Sequence, residues 1–136
     1  MRTIEDHKVN PANDVLTITV VDEPGHGGAC HAYLVAGCDW DRNPSSNQLL
    51  EHCEEHNTHG LGICFQNGPI AEAGVNGLTH EVLLAILADR LRGFQSGPYA
   101  CQENAIALHH ICQAQAVLQR RTRARMERGV EGTHQL

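Results

Sequence analysis

The feature that most constrains the fold is a run of about 31 residues, from Pro98 to Arg128, with no helix breaker after its first position. Proline suits the first turn of a helix, and Gly129 is a suitable stop directly after the run. The sequence therefore predicts one continuous helix of roughly 45 Å, at 1.5 Å per residue.

A shorter helix is predicted just before it, from Thr79 to Arg92. Thr79 is a suitable N-cap and Gly93 a suitable stop. Apolar residues recur between them at helical spacing, at Val82, Leu83, Ile86, Leu87 and Leu91. The long helix far outreaches this partner, so we expect its remaining length to pack against another subunit.

The first half of the chain has the two-residue period of strands. Val15 to Glu23 is rich in β-branched residues, and the glycine-rich turn after it predicts a hairpin with Ala29 to Gly37. A polar loop from Asp39 to Asn47 follows and is a candidate lid over a ligand. Gly60 to Gln66 predicts a third strand, and the Asn67-Gly68 turn predicts a fourth strand from Pro69 to Val75.

The predicted fold class is α+β, an N-terminal antiparallel β-sheet followed by a C-terminal helical hairpin with one long helix. We predict an irregular N-terminal arm over residues 1–14, the β region over residues 15–77, and the helical hairpin over residues 78–136. The hairpin is expected to carry both oligomerisation and ligand binding.

Charge is distributed unevenly along the chain. Its formal net charge is −6, yet five of its ten Lys and Arg residues lie within nine positions, at Arg120, Arg121, Arg123, Arg125 and Arg128. On a helix, Arg121, Arg125 and Arg128 share one face and present planar donor forks suited to phosphate oxygens. The alternative is a solvated helix end whose cations complement the helix dipole. The acidic balance argues against a general nucleic-acid binder.

Histidine and cysteine are frequent but do not form a recognisable metal motif. His52, Cys53, His56 and His59 cluster before Cys64, but their spacing matches no established zinc pattern. We therefore expect an ordinary histidine-rich loop, no metal and no cofactor.

The six cysteines contain no CxxC pair, and reduced thiols are expected. No segment has the apolar length of a membrane span.

A family resemblance begins at Phe65 and extends to His134. Its motifs, in order, are FQNGPI (65–70), GVNGLT (74–79), DRLRGFQSGP (89–98), CQENAIAL (101–108), RRTRAR (120–125) and RGVEGTH (128–134). This set resembles the phage Thoeris anti-defence sponge family, which shares its C-terminal helical hairpin with anti-CBASS cyclic-nucleotide sponges.

The resemblance implies a non-catalytic protein, acting in the host bacterial cytoplasm, that sequesters cyclised ADP-ribose signals from bacterial TIR-domain proteins. Family members are homodimers or homohexamers, and some also bind cyclic di- or trinucleotides of CBASS at a second site. Neither a membrane nor a nucleic acid is an expected partner. The preferred isomer, the oligomeric state and the role of the β-rich half do not follow from the sequence.

The motifs imply which residues bind the signal. They are Phe94, Asn104, Arg121 and Arg125, with Arg128 as a weaker addition. Arginine forks suit the pyrophosphate, a phenyl ring can stack on adenine, and a carboxamide can read a base edge or a ribose hydroxyl. A second site is considered at Asn76, Gly77 and Thr79, where a helix N-terminus could receive an anion, although capping alone explains Thr79.

Asn104 and Arg121 are 17 residues apart on one predicted helix, which is about 25 Å along its axis. A ligand on the order of 10 to 15 Å across cannot touch both within one chain, so we expect the pocket to form between antiparallel helices of two subunits.

Two other classes of function stay open. One is a nucleotide hydrolase using His52, His56, His59, His109 or His110 as a base, and the other is a small protein- or nucleic-acid-interaction module.

Overall fold

The computed structural model describes residues 1–52 and 60–136, and the chain divides into two compact units, residues 1–67 and 68–136. The described part of the first unit contains β1 (Arg2–Ile4), α1 (Pro11–Asp14), β2 (Thr17–Val20), β3 (Ala32–Ala36), α2 (Ser46–Leu50) and β4 (Gly60–Cys64). The second contains α3 (Ile70–Ala73), α4 (His80–Gln95) and α5 (Gln102–Glu127). The predicted α+β fold, a sheet followed by helices of which one is long, is confirmed.

The strands form one antiparallel sheet in the order β1-β2-β3-β4. The predicted hairpin is confirmed, since β2 pairs with β3 in a register that places Ile18 opposite Val35. β-Branched side chains favour this half-buried, pleated surface. Val20 at the end of β2 is only 1 % exposed and is the most completely buried large side chain among the described residues of the unit.

The N-terminal segment differs from expectation. Residues 1–14 are not irregular throughout, because β1 pairs with β2 and places Thr3 opposite Thr19. Asn10 then caps α1, its side chain accepting from the Asn13 backbone N–H at 3.0 Å. A three-residue strand has no hydrophobic alternation to reveal it, and it forms because β2 offers an unpaired edge.

The strand predicted from Pro69 to Val75 is also wrong. Those residues contain α3, which Pro69 precedes at the N-cap and Gly74, at φ +69°, terminates. The sequence of α3 is Ile-Ala-Glu-Ala, and alanine and glutamate favour helix over strand. Asn67-Gly68 is therefore followed by a helix and does not close a β-hairpin.

At the turn between the two long helices, the predicted end of the first helix and the predicted start of the second are both wrong. α4 begins where predicted, with Thr79 Oγ1 accepting from the Val82 N–H at 3.4 Å. It continues through Gly93 to Gln95, however, because an interior glycine costs only about 1 kcal/mol relative to alanine. α5 begins at Gln102 and not at Pro98, and its 26 residues span roughly 39 Å. Its end is as predicted, since Gly129 adopts φ +71° just after the C-cap Arg128.

Few side chains are fully buried in the helical unit. Ala88 on α4 is 1 % exposed and Val130 is 8 % exposed, and they are its buried hydrophobic residues. Large apolar side chains on both long helices stay in contact with solvent in the single chain, namely Val82, Ile86, Leu87, Ile106 and Val117. An apolar surface of this kind is typical of an interaction face.

Among residues 1–52 and 60–136, the structure contains no helix that is both long enough and apolar enough to cross a lipid bilayer.

Asp22 fixes the start of β3 and gives a pH-dependent prediction. Its carboxylate accepts from the backbone N–H groups of Ala32 at 3.0 Å and His31 at 2.8 Å, which lowers the pKa of Asp22. Because the folded-state pKa is depressed, the stabilisation is present above the unfolded value and is lost as pH falls below about 4 and through the lowered pKa. At pH 6, the Asp22→Asn variant should therefore unfold at a lower urea concentration than the wild-type protein. Its stability should also fall less than that of the wild type when the pH is lowered.

Urea titrations at pH 6 and pH 3, followed by the fluorescence of the single tryptophan, Trp40, measure this effect. The exposed Asp6 provides the matched control, Asp6→Asn. An acid dependence that is equally steep in Asp22→Asn and the wild-type protein would contradict the assignment.

Candidate functional site

Phe94 lies in the last turn of α4 within a small cationic and aromatic group. The guanidinium carbon of Arg90 is 5.1 Å from the centre of its ring, one helical turn earlier. The ring of Tyr99 meets it edge-on, with centroids 6.3 Å apart and an interplanar angle of 86°. Phe94 is half-buried and Tyr99 is 73 % exposed, so an aromatic surface remains accessible here.

Asn104 lies in the first turn of α5. Its backbone N–H donates to the Sγ of the N-cap Cys101 at 3.4 Å. The side chain of Gln95, at the end of α4, accepts from the Cys101 N–H at 3.0 Å and donates to the Cys101 carbonyl at 3.1 Å. These bonds connect the two helix ends that carry Phe94 and Asn104. We call Arg90, Phe94, Tyr99 and Asn104 the turn cluster.

The five arginines occupy the other end of α5 and the residue that caps it, and we call them the arginine cluster. Arg121 is exposed and has no hydrogen-bond or ion-pair partner within the described part of the chain. Arg128, the C-cap, donates from Nη2 to the carbonyl of Leu136. A guanidinium with no internal partner is available to an anionic ligand.

Arg125 differs from its neighbours because the chain itself uses most of its donors. Its Nε donates to Glu131 Oε2 at 2.9 Å, and Nη1 donates to the Gln135 carbonyl at 2.6 Å. Nη2 donates to the carbonyls of Val130 at 3.0 Å and Thr133 at 3.3 Å. The Arg125 side chain is accordingly only 18 % exposed. We call residues 129–136 the C-terminal clasp.

The turn cluster and the arginine cluster lie at opposite ends of one helix. Asn104 and Arg121 both belong to α5, and 17 residues at 1.5 Å place them about 25 Å apart along its axis. The structure therefore brings Phe94 and Asn104 to one end of the hairpin, and it does not bring them to the arginines within a single chain.

The residues considered for a second site lie just before α4. Asn76 is exposed and Gly77 is half-buried. Thr79 Oγ1 is used as the N-cap of α4, so the structure gives this hydroxyl a capping role. A ligand role for Asn76, Gly77 and Thr79 stays a prediction.

Most of the histidine-rich segment lies outside the described residues. Cys53, His56 and His59 lie outside the described residues, whereas His52 is exposed at their edge. Within residues 1–52 and 60–136, no group of three His, Cys, Asp or Glu side chains is arranged to bind a metal ion. The rings of His109 and His110 are 5.8 Å apart and exposed on α5.

The loop predicted as a lid is partly helical in the first unit. Trp40–Arg42 forms a single 3-10 turn, and α2 begins at Ser46. Trp40, Leu49 and His52 are among the residues that line a pocket of about 570 Å³ there. A role for this loop in closing over a ligand stays a prediction.

Sequence reasoning missed three residues that shape the two clusters. Arg90 and Tyr99 contact Phe94, and the four-residue spacing from Arg90 to Phe94 was a usable signal. Glu131 pairs with Arg125. It stands in the RGVEGTH motif, but spacing alone could not indicate that the chain turns back on itself after Gly129.

Two comparisons show similarity between this chain and known proteins. Residues 59–123 match the profile of the Acb2/Tad1 hairpin domain. The chain is also 45 % identical over 73 residues to Thoeris anti-defense 1 of Bacillus phage SBSphiJ7, an alignment that covers 54 % of this chain and 51 % of the relative. The chain thus spans about half the length of this curated relative.

Proposed function

We propose that the chain is a member of the Thoeris anti-defence family, which the match of residues 59–123 to the Acb2/Tad1 hairpin domain supports, and that it sequesters cyclised ADP-ribose signals without chemical conversion. As a phage anti-defence protein it acts in the infected host cell. By holding the signal, it would keep the defence effector of the host from being activated.

One observation carries the proposal. The helical hairpin has an aromatic group at the end of α4, an amide group at the start of α5, and, near the far end of α5, an exposed arginine with no partner in the described chain. A cyclised ADP-ribose requires both kinds of group, since it combines a purine base, two riboses and a pyrophosphate. Phe94 would stack on the base, Asn104 would read a base edge or a hydroxyl, and Arg121 would bind phosphate oxygens.

The 25 Å separation of the two groups makes a second chain part of the site. Two α5 helices packed antiparallel would place the turn cluster of one protomer beside the arginine cluster of the other, giving two equivalent pockets in a symmetric dimer. The exposed apolar side chains of α4 and α5 supply the surface for such packing. Dimers could assemble further into hexamers through surfaces outside this contact.

Arg90 adds to the proposed pocket. Its guanidinium already lies over the ring of Phe94, so it stabilises the orientation of the ring and brings a cation to the aromatic side. Arg125 and Arg128 belong to the same proposed arginine cluster, although both already bond to the C-terminal clasp.

Calorimetry of the purified protein against a panel of ligands tests the function. The panel contains cyclised ADP-ribose isomers, cyclic di- and trinucleotides, linear NAD and a short DNA duplex. We expect preferential binding of a cyclised ADP-ribose and recovery of that ligand intact after the complex is denatured. Degraded ligand would favour a hydrolase, and salt-sensitive binding of DNA above all other ligands would favour an interaction module.

The same titration tests the second site. If cyclic oligonucleotides bind at Asn76, Gly77 and Thr79, they should bind with undiminished affinity to protein already saturated with cyclised ADP-ribose. Competition between the two ligand classes would place both in one pocket.

A further inference from the structure

Arg125 has little hydrogen-bonding capacity left for a ligand. A guanidinium has five N–H donors, and those of Arg125 already serve Glu131 Oε2 and three backbone carbonyls of the clasp. A phosphate could reach it through a bidentate contact only if part of the clasp moved away. Arg121, one helical turn earlier, carries no such engagement within the described chain.

The clasp has an ordered structure of its own. The Val130 N–H donates to the Arg125 carbonyl at 3.0 Å, and the hydroxyl of Thr133 donates to the Val130 carbonyl. Gly129 and Gly132 adopt φ values of +71° and +77°, which allow the chain to turn back. The clasp therefore satisfies carbonyl groups at the end of α5 that a free helix end would leave to solvent.

The clasp also connects α5 with α3. The Ala71 N–H donates to the Gly132 carbonyl at 3.3 Å, and His134 Nε2 lies 3.1 Å from Glu72 Oε2. The end of α5 is thus fixed to a second element of the same unit. Without these contacts the last turns of α5, including the turn that carries Arg121, would be free to fray.

The charges on this helical face also favour Arg121 over Arg125 as the residue available to a ligand. Arg121 and Arg125 lie four residues apart on one helical face, where like charges repel. Glu131, 2.9 Å from Arg125 Nε, neutralises that cation locally. Arg121 is left as the cation of the face with neither a carboxylate nor a carbonyl partner in the described chain.

We propose that Arg125 is a positioning residue of the binding site, which fixes the C-terminal clasp through Glu131 so that Arg121 is held in place for the ligand. This inference rests on the proposed function and narrows it, because it assigns the phosphate contact to Arg121. In the opposing mechanism Arg125 contacts the phosphate itself, and Glu131 is a competitor that the ligand must displace.

Glu131→Ala distinguishes the two mechanisms by the sign of its effect. If Arg125 acts through the clasp, Glu131→Ala and Arg125→Ala should each weaken binding of a cyclised ADP-ribose about tenfold. The double variant should then lose no more affinity than the single variant with the larger loss. Glu131→Gln, which keeps an acceptor oxygen, should retain most of the affinity. If Glu131 is a competitor, Glu131→Ala should tighten binding.

The salt dependence of the dissociation constant separates positioning from contact. Salt screens the attraction between a cation and the phosphates that it contacts, so removing such a cation reduces the dependence of log K on salt concentration. We expect a reduced slope in Arg121→Ala and an unchanged slope in Arg125→Ala. Glu127→Ala, which removes an exposed carboxylate from the end of α5, is the matched control and should bind like the wild type.

Hydrogen exchange of the full-length variants completes the test. Amides of residues 129–136 should exchange faster in Arg125→Ala and Glu131→Ala while the amides of α4 keep their protection. Tighter binding in Glu131→Ala, or additive losses in the double variant, would overturn the inference and leave the proposed function intact. A wild-type protein without affinity for any cyclised ADP-ribose would overturn both.

Discussion

Arg121→Ala is expected to weaken the binding of a cyclised ADP-ribose by about 2 to 4 kcal/mol, roughly 30- to 700-fold. Arg121 is the member of the shared arginine face that has no internal acceptor within the described chain. Its donors are therefore available for the charge-assisted hydrogen bonds that a pyrophosphate can accept. Calorimetry of the variant against the ligand that binds the wild type measures the loss.

Arg123→Ala is the matched control for Arg121→Ala. The two residues have the same side chain and charge and are both exposed on α5, but two helical steps rotate Arg123 by about 200° away from Arg121. The control should bind within a factor of about two of the wild type. Equal losses in both variants would indicate that general charge, and not a defined contact, attracts the ligand.

Ile86→Asp is expected to dissociate the oligomer and with it to abolish ligand binding. Ile86 is 59 % exposed in the single chain and lies one turn from Val82, which is 41 % exposed. In a symmetric dimer each substitution occurs twice, so the lost apolar burial alone costs on the order of 4 kcal/mol, and burying an unpaired carboxylate adds to it. Because neither protomer holds both clusters close together, a monomer should not bind with measurable affinity.

Sedimentation and calorimetry of Ile86→Asp test this coupling directly. Val75→Asp is the matched control, since Val75 is 80 % exposed but lies between α3 and α4, outside the long helices. The control should keep both the oligomeric state and the affinity of the wild type. A monomeric Ile86→Asp protein that still binds the signal would place the whole pocket in one chain and contradict the two-chain arrangement.

Local sequence signals predicted the existence of the two long helices, α4 and α5, and the central β-hairpin. The Thr79 cap and the stop at Gly129 act through bonds within a few residues, so their positions could be read directly. The β2–β3 pair followed from β-branched residues around a glycine-rich turn.

The predicted ends of elements were wrong where contacts elsewhere outweighed the local signal. Gly93 lies inside α4 and does not end it. α5 begins next to Cys101, whose backbone N–H and carbonyl are both bonded to the Gln95 side chain, and not at Pro98. β1 forms only because β2 offers it an edge. Asn67-Gly68 does not close a hairpin, because helix-forming residues follow it in place of a return strand.

By itself, the sequence determined the fold class, the long helix and the placement of Asn104 and Arg121 about 25 Å apart on it, because helical periodicity and rise are local properties of the chain. Only the tertiary structure decided which arginine is available. The bonds from Arg125 to Glu131 and to the clasp carbonyls, like the contact of Arg90 with Phe94, depend on how the chain turns and packs in three dimensions. Residue spacing does not encode such contacts, since the acceptors of Arg125 come together only after the chain has turned back at Gly129.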